Sequence, residues 1–312
     1  MTAQATQPAP PADRGPTPPP PRVALRHRLA EAGVDRQLLL LVPAAVFVFI
    51  LFIYPFAYGV GLSFQPSSGG VFGAYRQFFT DAYERDTIWT TLQLSLPVAL
   101  INVGASVPIA YRMRGRFRGK RLLTTLLVLP ITLGTVLTAQ GLLNFLGPTG
   151  WFNRILMSTG LTDAPVRLTN NYWGVFASLL ITGFPFAFLL VLSYLSGIDP
   201  TLERAAATLG AGRVQRFRRI TLPLLAPGLA TTFCLTFVLA FSVFPSAVLV
   251  GDPAGETRVI SIAAWHAAYE QYDYAKASAI AVIMGVIELI VVAIALGWRS
   301  LLYTGSTSGG KG

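Results

Sequence analysis

Six stretches of this chain are apolar over the roughly 20 residues that a helix needs to cross a hydrocarbon core. They are Leu38 to Leu62, Leu92 to Tyr111, Leu122 to Phe145, Tyr172 to Leu195, Leu229 to Val250 and Ala277 to Trp298. In lipid, each backbone N–H and C=O must find its partner inside the protein, so spans of this kind are helices. The expected fold is therefore an all-α polytopic membrane protein with six transmembrane helices. Composition agrees, with only 12% charged residues where a soluble domain carries about 25%. Prolines fall within or beside the spans at positions 43, 55, 97, 108, 130, 185 and 245, and kinks are expected there.

Topology follows from where Lys and Arg lie, because short loops rich in them stay on the cytoplasmic side. The loop Arg112 to Arg121 holds Arg112, Arg114, Arg116, Arg118, Lys120 and Arg121 and no acid, and a second loop holds Arg204, Arg213, Arg216, Arg218 and Arg219. The loops Phe64 to Thr91, Leu146 to Asn171 and Gly251 to Lys276 together carry six basic residues against eight acids. The first two loops and both termini are expected inside, and the other three outside. Residues 1–36 read as a disordered tail, proline-dense over Met1 to Pro21, with a basic lead-in; residues 304–312 read as a C-terminal tail. No signal-peptide pattern is present, since the basic stretch Arg22 to Arg36 leads straight into a full-length span. The net charge of +10 does not indicate a nucleic-acid partner, because the basic residues are dispersed between spans rather than gathered on one soluble face. The lone Cys234 excludes a disulfide framework.

The polar segment Thr201 to Leu229, TLERAAATLGAGRVQRFRRITLPLLAPGL, separates the fourth and fifth spans. Pro200 opens a short helix through the alanines to Leu209, and Gly210 and Gly212 stand where it must stop. A second, basic helix follows from Arg213 to Thr221, with Val214, Phe217 and Ile220 spaced three apart; Leu222-Pro223 is expected to end it. Charge and periodicity alone also fit a basic helix lying on anionic lipid, but that reading requires neither the Gly-Ala turn nor the Leu-Pro.

The order Ala205-Ala206, Gly210-Ala211, Phe217 and Ile220-Thr221-Leu222-Pro223 resembles the EAA signature of bacterial ABC-importer permeases. YPFAYGVGLSF in the first span, the basic second loop and NYWGVFASLLITGFPFAFLLVLSYLSGIDP resemble the polyamine-type permeases, so the likeness covers about Gln37 to Tyr303. It implies a type I ABC-importer permease domain over residues 37–303 in the bacterial plasma (inner) membrane. It further implies a cytoplasmic coupling loop at 196–227, in which Glu203, Arg204, Ala205, Ala206, Gly210, Ala211, Phe217, Ile220, Leu222 and Pro223 meet a separate ABC ATPase. ATP and magnesium would be bound by that ATPase, with no cofactor in this chain. The other implied partners are a second permease, identical or homologous, and an extracytoplasmic solute-binding protein. One position departs from the signature: Arg204 stands where the family has its glutamate, with Glu203 one residue earlier, so the family's acidic contact does not carry over directly. Overall likeness points to spermidine or putrescine as solute, while similar permeases serve ferric iron, sulfate, phosphonates, thiamine and sugars.

The sequence offers no catalytic site. The string Gly115 to Arg121 is too short for a phosphate-binding loop and lacks its Ser or Thr, and His27 and His266 have no metal-ligand companions. Glu288 is the one ionisable residue in mid-span. Such residues face a cavity or tie helices together, and Glu288 is also the residue that a proton-coupled secondary transporter would use. Asn102, Gln140 and Asn144 are candidates to line a pathway or to bond between helices. The stretch Trp265 to Tyr274 could hold an amine, although Trp and Tyr collect at membrane interfaces in any case.

Overall fold

The computed structural model describes residues 36–66, 69–115 and 119–302. The N-terminal tail, apart from Arg36, lies outside the described residues, as do Arg116 and Arg118 of the basic loop and the C-terminal tail. Residues up to Tyr58 form one compact unit and those from Gly59 a second.

From the first unit α1 (Arg36–Val48) runs through a π-helical turn (Phe49–Ile53) into α2 (Tyr54–Ser63), which continues past the unit boundary at Tyr58. In that turn the Tyr54 N–H reaches back to the Phe49 carbonyl. Pro55 follows directly; its ring has no N–H and crowds the carbonyl four residues before it, so a widened turn accommodates it where a regular one would clash.

The second unit contains α3 (Gly73–Thr80), α4 (Ala82–Met113), α5 (Lys120–Leu146), α6 (Trp151–Ser158), α7 (Tyr172–Ser196), α8 (Pro200–Thr208), α9 (Arg213–Arg216), α10 (Leu222–Phe241), α11 (Pro245–Leu249), α12 (Ile260–Trp265) and α13 (Tyr274–Leu302). Among the described residues six helical segments are long and apolar enough to cross a membrane, as the hydropathy predicts, but three of them have other bounds than expected, the third running on from Arg121 through α6 to Ser158. The second span begins at Ala82 rather than Leu92, because the Asp81 carboxylate accepts from the Tyr83 N–H and caps a polar extension to which hydropathy is blind. The fifth runs from Arg213 to Phe241 instead of Leu229 to Val250. Pro223 therefore does not end the basic helix. A second π-turn (Phe217–Thr221), with the Leu222 N–H on the Phe217 carbonyl, absorbs the proline, and the helix continues as α10.

That helix stops at Phe241, and the chain is non-helical before Pro245 opens α11. A backbone group freed at this break is satisfied within the protein, as lipid requires: the Val243 carbonyl accepts from the Ser261 hydroxyl; beside it the Ser242 hydroxyl donates to Glu288. In α5 the backbone breaks at Gly134 (φ 74°, ψ 169°), four residues after Pro130.

Helix α4 packs along α7 and α10, while α13 covers α10, α12 and α3. Three clusters of buried residues fill the bundle. Phe78, Phe237, Phe241, Ile260 and Ile280 form the first; Leu94, Val98, Val175, Leu179 and Ile262 the second; Val107, Ala110, Phe188, Val191, Leu195 and Leu225 the third. Between membrane helices the gain comes from close contact rather than from water exclusion, which favours small residues at crossings. Gly228 shows this: a Cβ there would lie 2.5 Å from the Tyr194 ring.

Candidate functional site

The loop between α7 and α10 is built residue by residue as a folded unit. Asp199 caps α8 by accepting from the Thr201 N–H at 2.8 Å, and the hydrogen bonds from Thr201 hold its carboxyl below the usual carboxylate range. At the other end of α8 the Gly210 N–H donates to Ala207 O at 3.1 Å and the Ala211 N–H to Ala206 O at 3.0 Å. These two bonds make a Schellman closure, which requires a left-handed residue between them. Gly210 takes that role with φ 86°. Ala206 and Ala211, half-buried, meet on the inner side of the turn, while Ala205 is exposed.

What fastens this loop to the bundle is a carboxylate whose neighbours the sequence did not reveal. Glu203 Oε1 accepts from Arg114 Nη1 at 2.8 Å and from the Thr221 hydroxyl at 2.6 Å, and Oε2 accepts from the Tyr111 hydroxyl at 3.3 Å. Arg114 also donates to the Ile198 carbonyl, and Arg216 to the Glu203 carbonyl at 3.4 Å. The clamp thus joins α8, the end of α4 and the π-turn below α10. Phe217 belongs to it as well, its ring edge-on to Tyr111 with centroids 4.9 Å apart. Of the residues assigned to the loop, Glu203, Ala206, Ala211, Phe217, Ile220 and Leu222 are half-buried, whereas Arg204, Ala205, Gly210 and Pro223 are exposed. Nothing in the sequence singled out Tyr111, Arg114 or Thr221 as neighbours of Glu203: the first two lie 92 and 89 residues away along the chain and the third 18, and only the packing of the helices brings the four together.

A cavity of about 280 Å³ lies inside the bundle, lined by Asn102, Thr135, Thr182, Thr236, Ser242 and Ser246 among apolar neighbours. Asn102, fully buried, donates to the Leu179 carbonyl at 3.4 Å and so both lines the cavity and ties α4 to α7. Gln140 and Asn144 do not line it; they are exposed on α5. Glu288 of α13 does not line it; its carboxylate accepts from the hydroxyl of the lining residue Ser242 at 2.8 Å. The hydroxyl-bearing residues escaped sequence reading because a Ser or Thr in a helix can satisfy itself on the preceding turn and carries no distinctive signal.

At the opposite end of α4 from Arg114, Glu84 Oε1 accepts from Lys276 Nζ at 3.3 Å and Arg258 Nη2 at 3.5 Å. All three residues are buried, and the Arg258 guanidinium lies 3.8 Å over the Tyr83 ring. In the aromatic stretch the acids are used locally: Glu270 pairs with His266, and Asp273 accepts from the Lys276 N–H.

The chain and its fold have counterparts among known proteins. The chain is 30% identical over 203 residues to a probable sulfate transport system permease protein cysT of Prototheca wickerhamii, covering 65% of this chain and 78% of that one. It is also 30% identical over 218 residues, 67% and 76% of the two chains, to the spermidine/putrescine transport system permease protein PotB of Haemophilus influenzae. Among solved structures it resembles a bacterial alginate ABC transporter in complex with an alginate pentasaccharide-bound periplasmic protein, with a TM-score of 0.76 at 24% identity, over 89% of this chain and 99% of that one. Residues 36–302 match the family described as binding-protein-dependent transport system inner membrane component. With that match running from the first helix to the last, the chain belongs to this family, the inner-membrane permeases of ABC importers.

Proposed function

We propose that this permease imports a polyamine-like cation, that its α8–α9 loop is the seat of a separate ATPase, and that both termini lie in the cytoplasm. The observation that carries the coupling assignment is the clamp at Glu203, which fastens the two-helix loop directly to the C-terminal end of α4 and the base of α10. A push on the loop is therefore a push on the two helices that wall the cavity with Asn102 and Thr236. ATP and magnesium belong to the partner, and this chain contributes the lever and the passage. A binding protein would deliver solute at the Glu84 end.

The chemistry of the cavity supports a cation over an oxyanion. Its lining has no Lys, Arg or His. Thr182 gives its proton to the Ser178 carbonyl and Ser242 gives its proton to Glu288, which leaves the lone pairs of these two oxygens to accept from a solute, while Thr236 and Ser246 keep hydroxyl protons of their own. A protonated amine supplies donors for the Thr182 and Ser242 oxygens, whereas sulfate, with no cation in the lining to meet its charge, would rely on the neutral Thr236 and Ser246 hydroxyls alone. The sulfate permease relative makes an oxyanion the second reading.

The test is uptake in vesicles that hold the permease with its ATPase inside and its binding protein outside. Labelled spermidine is expected to accumulate only with internal ATP and without competition by sulfate. Sulfate accumulation would install the second reading. Accumulation driven by a proton gradient in the absence of ATP would make the chain a secondary transporter working through Glu288.

A further inference from the structure

We infer that the loop's outward face is a cationic and apolar plug, and that the ATPase groove receiving it is rimmed by carboxylates. This rests on the coupling role proposed above and adds the chemistry of the partner. Glu203 is the only acid between Thr201 and Leu229, and it is turned inward and consumed by Arg114, Thr221 and Tyr111. The outward face keeps Arg204, Arg213, Arg218 and Arg219, all exposed. Between them, at the turn, stand Leu209 and Val214, 88% and 70% exposed. A groove that seats this face must present an apolar floor for the two side chains and negative charge around it, since arginines brought against a neutral or basic rim would lose water without gaining a partner.

The same arginines could rest on anionic lipid, but the shape argues for a protein groove. A helix lying on a membrane presents a continuous apolar stripe. Here α8 has nine residues and α9 four before the π-turn, and the inner sides of both are already spent on the clamp. What remains apolar and exposed at the turn is a two-residue knob beside a left-handed glycine, a shape that fits a socket.

The experiment is co-expression of the full chain with its ATPase, comparing wild type, the double variant Arg213→Glu/Arg218→Glu, and Leu209→Asp. Both arginines are exposed, so the double variant should extract and elute from a sizing column as wild type does. It is expected to bind the ATPase at least about tenfold more weakly, and wild-type binding is expected to weaken as salt rises. Acid-to-Lys changes in the ATPase groove should restore the double variant. Flotation with vesicles that contain or lack phosphatidylglycerol reads the lipid alternative. If Arg213→Glu/Arg218→Glu alters only vesicle binding, the face is a lipid face and the inference is overturned. If Leu209→Asp abolishes ATPase binding but the double variant binds normally, the coupling role stands and the acidic rim does not. If neither change affects ATPase binding, the coupling role fails as well.

Discussion

Replacing Glu203 with alanine should release the loop without touching its outward face. The substitution removes the acceptor of the Arg114 pair and of two hydroxyl hydrogen bonds. Breaking a fully buried pair by deleting one partner costs about 3–5 kcal/mol, because the surviving charge is stranded. This pair is less extreme, with side chains 13% and 17% exposed, so water can partly rescue Arg114. An expected loss of about 2–3 kcal/mol is reasonable from the typical worth of charged hydrogen bonds. At about 1.4 kcal/mol per factor of ten, that lowers the ratio of clamped to released loop by about 30- to 150-fold. Hydrogen exchange over residues 201–221 reads this ratio directly, and uptake in vesicles reads its consequence. Glu203→Ala should exchange faster there, still bind the ATPase through Leu209 and Val214, and hydrolyse ATP without responding to the loaded binding protein. Glu203→Gln, which retains one oxygen acceptor, should fall between. A double-mutant cycle with Arg114→Ala should give a coupling energy above about 1 kcal/mol. Unchanged exchange together with uptake within about twofold of wild type would refute the clamp as the lever's attachment.

Gly210→Val should uncouple hydrolysis from uptake, since nothing crowds a Cβ at that site and the whole cost, about 1–2 kcal/mol, is the left-handed backbone; Gly210→Asn, better tolerated there, should retain most activity, and equal uptake by both variants would count against the turn geometry. Glu288→Gln should leave ATP-driven uptake largely intact, because the amide oxygen still accepts from Ser242; loss of uptake would assign the carboxylate a direct part in transport. Glu84→Gln should strand two buried cations and lower the stability of the purified chain by about 3 kcal/mol, and a thermal midpoint equal to wild type would show that Arg258 and Lys276 find other partners.

Much of this architecture was legible in the sequence, for reasons that also mark its limits. Hydropathy finds spans because the bilayer tolerates nothing else over 20 residues, and it located all six. It misplaced the start of α4 because a capped polar turn is helical without being apolar. It misplaced the bounds of the fifth span because Pro223 reads as a stop, whereas a π-turn lets the helix pass. The turn at Gly210 was legible because only glycine closes a helix that way cheaply. The clamp was not, because Glu203, Arg114, Tyr111 and Thr221 meet only after α4, α7 and α10 have packed. Phe217 stood out in the sequence as a contact residue, and its half-buried ring lies edge-on to Tyr111, a neighbour the sequence did not indicate. Val214 was expected to share one apolar stripe with Phe217 and Ile220, yet it is exposed while they are half-buried, and with Leu209 it forms the face on which the proposed partner contact rests.

The central claim, that the α8–α9 loop seats an ATPase, is tested most directly by a photo-crosslinking residue placed at Leu209 in the assembled complex. The account predicts a crosslink to the ATPase that depends on the loop's outward face, with no such product from the same probe at Ile220, which is half-buried. Crosslinks from position 209 to lipid alone, or equal yields from both positions, would contradict it.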